Sequence, residues 1–427
     1  MSTWQQAGSD AGNGGYLAGQ WPTFWAGAVT GWTGLFRVDN ATCIWMGQPT
    51  QTTLSVNQTT FEYTSTRSTF TMDVLGQVQM KITFLSPVAP DDLLRSSLPY
   101  SYMEVDVQSV DGKQHDVQIY TDISAEQEQQ ESSEINQQAE WGNWFYSTSN
   151  VESLTHQSGA DATVRSQFVT NGYLANTADT DYRPVNQDYV VFGFSRDLGS
   201  VGSTSQSMLF QLSLHQQNAM QFLGANGLQA VPSLWTSYFS SDTDAESSSA
   251  TSLDNKIASD SVAAGGQDYL NLTSLATRQA FGALEGTNTP TEPWVFLKEI
   301  SSDGNVQTVD VIFPFHPIAI YLNPSILKYL LDPLFIQQEA GNFPQANTED
   351  WELFCAAIAS QDTKTEFIST VAKWLGVTPT NFAFTDLYDT VTGNYPPGIT
   401  FIARPVVGGL YSLLALKSAP SNGYVAA

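Results

Sequence analysis

One change of period divides this chain. From about Leu35 to Leu223, apolar and polar residues alternate in short runs separated by turn signals. Beyond Trp235 the pattern reads as helices, with Leu272, Leu275, Ala276 and Gln279 at helical spacing. A period of two sends successive side chains to opposite faces of a strand, whereas a period of 3.6 gathers them on one helix face. The first tract therefore predicts an antiparallel β-sandwich and the second a helical unit, an α+β multidomain chain.

Within the first tract, "STFTMDVLGQVQMKITFLSP" gives two strands around Leu75-Gly76, and "YSYMEVDVQSVDGKQHDVQIYTDIS" gives two around Asp111-Gly112, a hairpin signal. "YVVFGFSRDLG" and "SMLFQLSLHQ" continue the pattern, and the Glu/Gln-rich run Ala125 to Asn143 reads as a solvated loop between strands. In the second tract, Gly265-Gly266 interrupts a helical stretch. A hairpin follows, with strand Trp294 to Ile300, a turn at Ser302-Asp303-Gly304-Asn305 and a returning strand Gln307 to Phe313. Asn323 then caps a helix with Pro324 at its first position, closed by Gly341 and kinked or split at Pro333. Thr348 and Asp362 cap two more helices, the second ending at Gly376, and "VVGGLYSLLALK" is the last. The expected units are a Gly/Trp-rich segment 1–34, a sandwich 35–234, a first helical part 235–345 carrying the hairpin 294–313, and a second helical part 346–427.

Charge narrows the partners. Sixteen basic against 42 acidic side chains give a net charge of −26 over 427 residues. Such a surface repels phosphate backbones and anionic membranes, so nucleic acid and membrane surfaces are not expected partners. No apolar run of about 18 residues is present to span a bilayer. Cys43 and Cys355 show no metal spacing and read as two buried thiols, with a disulfide as the alternative. The four histidines are scattered, so no histidine metal site is expected.

The generic catalytic signatures are missing: no GxSxG, HExxH, P-loop or dinucleotide fingerprint occurs. Ser325-Ile-Leu-Lys328 fits S-x-x-K, but it stands at a helix start, where Ser is common, and its companion motifs are lacking. The carboxylates are more informative. Period two puts Lys298 and Glu299 on opposite faces, so Glu299 can face a cleft while Lys298 pairs with Asp310 across the hairpin. The competing reading is a surface ion pair worth about 0–1 kcal/mol. Arg404 stands out in an arginine-poor chain; it either grips a carboxylate with both arms or ties down a buried Asp or a helix end. Trp45 either lines a pocket or fills the core.

Several long segments carry a resemblance. "STWQQAGSDAGNGGYLAGQWPTFWAGAVTGW", "RVDNATCIWMG", "TFLSPVAPDDLLRSSLPYSYMEVDV", "DYLNLTSLATRQAFGA", "FLKEISSDGNVQTVDVIFP", "LKYLLDPLFIQQEAG" and "FIARPVVGGLYSLLAL" resemble the secreted fungal glutaminase A family over nearly the whole chain. That resemblance implies a sandwich followed by a helical domain of the six-hairpin glycosidase type, and extracellular hydrolysis of L-glutamine to L-glutamate and ammonia without an obligatory cofactor. Family members carry a secretion signal and further sequence before "STW", and a long helical tract between "QEAG" and "DWELFCAA"; here "GNFPQ" runs directly into "ANTEDWE". The chain is therefore expected to be shortened at its start and internally deleted, with an incomplete helical barrel. Three sequons, at Asn40, Asn57 and Asn271, fit secretion. Amide hydrolysis needs an activated water, oxyanion donors and an acid for the leaving ammonia. Glu299 is assigned acid/base work, Lys298 or Arg404 the substrate's negative charge, Asp310 its ammonium, and Trp45 the pocket wall. A carbohydrate-active hydrolase and a non-catalytic remnant are the alternatives.

Overall fold

The computed structural model describes residues 16–22, 31–124, 142–184, 187–246, 254–299, 305–339, 361–377, 383, 385–387, 394–395 and 401–418. The expectations for 125–141, for the turn at Ser302, Asp303 and Gly304, and for the junction 340–360 with Thr348 and Cys355 lie outside these residues.

Eleven strands build the sandwich: β1 (Trp32–Val38), β2 (Ala41–Met46), β3 (Asn57–Tyr63), β4 (Arg67–Val74), β5 (Val78–Leu85), β6 (Tyr100–Ser109), β7 (His115–Ser124), β8 (Asn143–Thr148), β9 (Leu154–Ala160), β10 (Val190–Val201) and β11 (Gln206–His215). One sheet runs β2-β1-β7-β10-β9 and the other β3-β4-β5-β6-β11-β8. Their facing sides supply alternate residues to one core, including Phe36, Phe70, Met72, Ile82, Val105, Ile119 and Phe210. The β4–β5 turn is as expected, with Leu75 and Gly76 both at positive φ (58° and 71°).

The Asp111-Gly112 turn corrects the expectation. β6 pairs with β5 and β11, while β7 pairs with β1 and β10, so the chain changes sheets there. Both strands bury one face in the same core, which is satisfied by opposing sheets as well as by neighbours. Polar bonds fasten the crossing. His115 is buried, with Nδ1 2.6 Å from Asp39 Oδ2 and Nε2 3.0 Å from Asp111 Oδ1. On the outer face of the first sheet, α1 (Asp161–Asn171) packs Val164 and Phe168 against Leu35, Tyr120 and Val191. Arg165 from that helix grips Asp122 with two donors, at 2.8 and 3.0 Å.

The helical unit comprises α2 (Asp254–Gly282), α3 (Val309–Leu322), α4 (Ser325–Glu339) and α5 (Gln361–Val377), with a 3₁₀ turn Pro405–Tyr411 leading into a short helix Ser412–Ser418. A hairpin β12 (Asn218–Gly224) and β13 (Gly227–Pro232) and a small sheet β14 (Leu284–Thr289), β15 (Glu292–Glu299) and β16 (Asn305–Val306) lie beside it. Gly266 breaks α2 with φ 77° and ψ −167°, as its sequence implies. α4 runs through Pro333 unsplit, and Asn323 Oδ1 caps it by accepting from the Ser325 amide at 3.0 Å.

The returning strand expected over Gln307 to Phe313 is not there. β16 has two residues, and α3 begins at Val309. The alternation in Val309-Asp-Val-Ile-Phe313 mimics a strand, yet Val311 and Ile312 amides both bond to the Thr308 carbonyl and open a helix. That helix is apolar on nearly every side, the mark of an element meant for a core. The last helix is also shorter than expected. Gly408 lies where a Cβ would come within 3.0 Å of the Phe315 backbone, so Pro405–Tyr411 takes the tighter 3₁₀ form against α3.

The two units are joined by polar contacts. Arg278 of α2 is buried and donates to the Thr64 carbonyl (2.8 Å), Ser68 Oγ (2.7 Å) and the Arg67 carbonyl, all in or beside the β3–β4 turn. Burial pulls its pKa down to about 10.

The His115 cluster sets a pH window. Hydrogen bonds to Asp39, then Asp111, raise the His115 pKa above its ordinary 6.5, and His115 lowers both carboxyls below 3.8. The histidine contribution is complete below 6.5 and is lost as pH rises through the raised value; the carboxylate contributions are complete above 3.8 and are lost on acidification through the lowered values. His115→Gln should lower Tm by about 3 °C near pH 5 and by less near pH 9, measured by thermal unfolding.

Candidate functional site

Three of the residues singled out in the sequence meet around one guanidinium. Arg404 lies between Ala403 and the 3₁₀ turn and is nearly sealed, with its side chain 7% exposed. Its Nε is 3.5 Å from Glu299 Oε1, at the end of β15. One terminal nitrogen is 3.8 Å from Asp310 Oδ2, in the first turn of α3. The other donates to Asp386 Oδ2 at 3.2 Å. Glu299 and Asp386 are buried, while the Asp310 side chain keeps 26% exposure and is the member that solvent reaches.

Local structure explains the convergence. Alternation along β15 turns Glu299 inward and leaves Lys298 on the other side. Thr308 starts α3 so that Asp310 falls in its first turn, where the helix dipole favours an anion. Thr385 pairs with Ile402, and the Asp386 amide bonds to the Phe401 carbonyl at 3.3 Å, fastening the Asp386 loop to the Arg404 segment. Phe401 and Ala403 both have positive φ (61° and 55°), which costs about 1 kcal/mol each in a residue with a Cβ. Such strain survives only where surrounding contacts fix it, and it concentrates at functional sites.

Asp386 was missed by sequence reasoning. It lies in a loop without periodicity; its only signal is a carboxylate set among aromatic residues in "NFAFTDLYD". Lys298 needs a correction: its ammonium bonds to Glu285 Oε2 at 2.8 Å across the β14–β15 pair, not to Asp310. Asp310 is unavailable to it because the residue belongs to a helix. Trp45 lies far from the cluster in role: it is fully buried in the sandwich core, its indole donates to the Leu35 carbonyl at 3.3 Å, and its ring fills the space over Gly34. Lys328 of the S-x-x-K pattern is bonded to Asp332, and Ser325 begins α4 on the surface.

Chemically, three carboxylates against one guanidinium leave a formal excess of two negative charges in a largely desolvated place. Among the described residues, Arg404 lies within ion-pairing distance of all three carboxylates but hydrogen-bonds only Asp386, and its buried Nε has no hydrogen-bond partner. The open Asp310 edge suits a cationic group or a water that must lose a proton. Among the described residues, no group of three His, Cys, Asp or Glu side chains is spaced to hold a metal ion.

An antiparallel sandwich followed by a helical unit, with three carboxylates gathered around one buried arginine, defines the class. Comparison with known proteins resolves it further. Residues 66–127 and 125–260 match a domain of unknown function, DUF5127, and residues 266–348 and 345–414 match the glutaminase A six helical-hairpin domain. Glutaminase A of Aspergillus oryzae is 36% identical over 652 aligned positions, which cover 97% of this chain and 94% of that protein. A probable glutaminase of Arthroderma benhamiae is 28% identical over 391 positions, covering 76% of this chain and 44% of that protein. The chain belongs to the glutaminase A family. The 652 positions exceed the 427 residues of this chain, so a long stretch of the Aspergillus protein faces no residue here. The helical-hairpin match is itself in two pieces that meet at 345–348. Glu299 and Asp310 fall in the first piece, and Asp386 and Arg404 in the second.

Arg404→Leu should lower the unfolding free energy by about 3–5 kcal/mol, because three neighbouring carboxylates then lose the cation they share. Arg404→Lys should recover less than half of that loss in urea unfolding, since one ammonium cannot reach three partners.

Proposed function

We propose that this chain hydrolyses the side-chain amide of L-glutamine to L-glutamate and ammonia. The observation that carries the reading is the match to glutaminase A along 97% of the chain, together with a buried acid cluster drawn from both pieces of the helical-hairpin match. In this reading Asp310, the exposed member, meets the substrate and attracts its α-ammonium. Glu299 removes a proton from the attacking water and returns it to the departing nitrogen. Arg404 and Asp386 fix where Glu299 and Asp310 point, and Arg404 places positive charge beside the developing oxyanion. Lys298 is committed to Glu285, which leaves it a supporting part at most.

The setting proposed is extracellular. Of the three sequons, Asn40 and Asn57 are exposed at the rim of the sandwich, while Asn271 is in α2 with the Thr273 of its sequon sealed inside. No helix among the described residues is long and apolar enough to cross a membrane.

Ammonia release from L-glutamine by the intact chain is the direct measurement. Glu299→Gln and Asp310→Asn should each reduce kcat/KM by about a hundredfold or more, and Lys298→Ala by less than about threefold. Normal turnover in both acid variants would remove the site assignment while leaving the family reading in place. Reducing-sugar release without ammonia would instead favour carbohydrate hydrolysis.

A further inference from the structure

Among the described residues, the sandwich has an unfilled end. β8 and β9 are edge strands of opposite sheets, and they lie at the same side of the sandwich. Between them is a cavity of about 420 Å³, within the range of small-molecule sites. Elsewhere the facing sheets fill the gap with Phe, Met, Val and Ile. Here Ser158 and His156 of β9 pair with Phe192 and Phe194 of β10 and so point to the same side. From the other sheet, Trp144 and Tyr146 of β8 point inward beside Leu214 and Leu212. Phe192 remains 47% exposed although its strand position directs it between the sheets.

The lining chemistry is specific in kind. Aromatic rings supply flat apolar surfaces, and His156, Gln157, Ser158 and Thr177 supply a polar wall. Among the described residues, no Asp, Glu, Lys or Arg lines the cavity, in a chain whose net charge is −26. An anion is repelled by the overall field, and a cation finds no local partner. A neutral ring with one apolar face and a rim of hydroxyls satisfies both walls. We propose that this cavity between β8 and β9 is a binding site for a neutral sugar unit, separate from the Arg404 cluster and independent of the amidase reading.

The test uses the intact chain with cellobiose, laminaribiose, maltose and N,N′-diacetylchitobiose, followed by saturation-transfer NMR and calorimetry. At least one disaccharide is expected to bind at about millimolar affinity or better. Trp144→Ala and Phe192→Ala should each weaken that binding by about tenfold. Phe192 is half exposed, so its truncation does not empty the core, and an unchanged Tm verifies this. Asp310→Asn should leave sugar binding intact, which separates this site from the amide-cleaving one. Absence of binding by all four sugars at roughly 10 mM overturns the proposal. Binding that survives both aromatic substitutions, or that L-glutamine displaces, overturns it as well.

Discussion

A single guanidinium organises the helical unit. Arg404 faces Glu299 from β15, Asp310 from α3 and Asp386 from a late loop, so segments distant in sequence share one buried charge. Removing either sign from such a place is costly, because the partner left behind has no water to turn to. The contact therefore selects one docking of the final segment on α3 over any looser arrangement. The apolar packing agrees with it. Phe315, Ile318 and Tyr411 share a core with Tyr269 and Leu272 of α2 and with Val371 and Trp374 of α5. Early and late parts of the helical-hairpin match thus lie against each other, despite the long stretch of the Aspergillus protein that has no counterpart here.

The sandwich supplies a rigid wall for this arrangement. Arg278 reaches from α2 into the β3–β4 turn, and Asn323, at the start of α4, donates to the Pro90 carbonyl at 2.7 Å. Thr66 adds a bond to Asp254 at 2.8 Å. Each of these ties uses a backbone carbonyl or a side-chain oxygen in or beside a turn. Movement of α2 relative to the sandwich would strand several of them at once. The platform beneath β15 and α3, and with it Glu299 and Asp310, is held from the sandwich side.

Much of this was legible in the sequence, for physical reasons that also explain the rest. Strand alternation between Trp32 and His215 names the sandwich, because an antiparallel sheet with one buried face must write that pattern. It cannot say which sheet receives a strand, so Asp111-Gly112 reads as a hairpin although it is a crossing. α3 shows the opposite failure: its apolar residues are so dense that Val309 to Phe313 fits either period, and the bonds to the Thr308 carbonyl decide. Glu299, Asp310 and Arg404 were visible as scarce charges inside apolar runs. Asp386 was not, since a loop carboxylate has no periodic neighbours to mark its side. The Glu285 partner of Lys298 was hidden too, because β14 follows a helix and its register with β15 is set by space, not by spacing.

The topology of the sandwich has a temporal consequence. β1 pairs with β7, and five strands separate them in chain order; β7 then needs β10, and β6 needs β11. Closing such distant pairs demands a large loss of chain entropy before any reward arrives. As the polypeptide leaves the ribosome, β1 and β2 can pair with each other but must wait for β7, carrying Trp32, Phe36 and Trp45, until residue 124 of 427 has emerged. Yield on expression should therefore be governed by how well that nascent ribbon is shielded, more than by the strength of the finished fold.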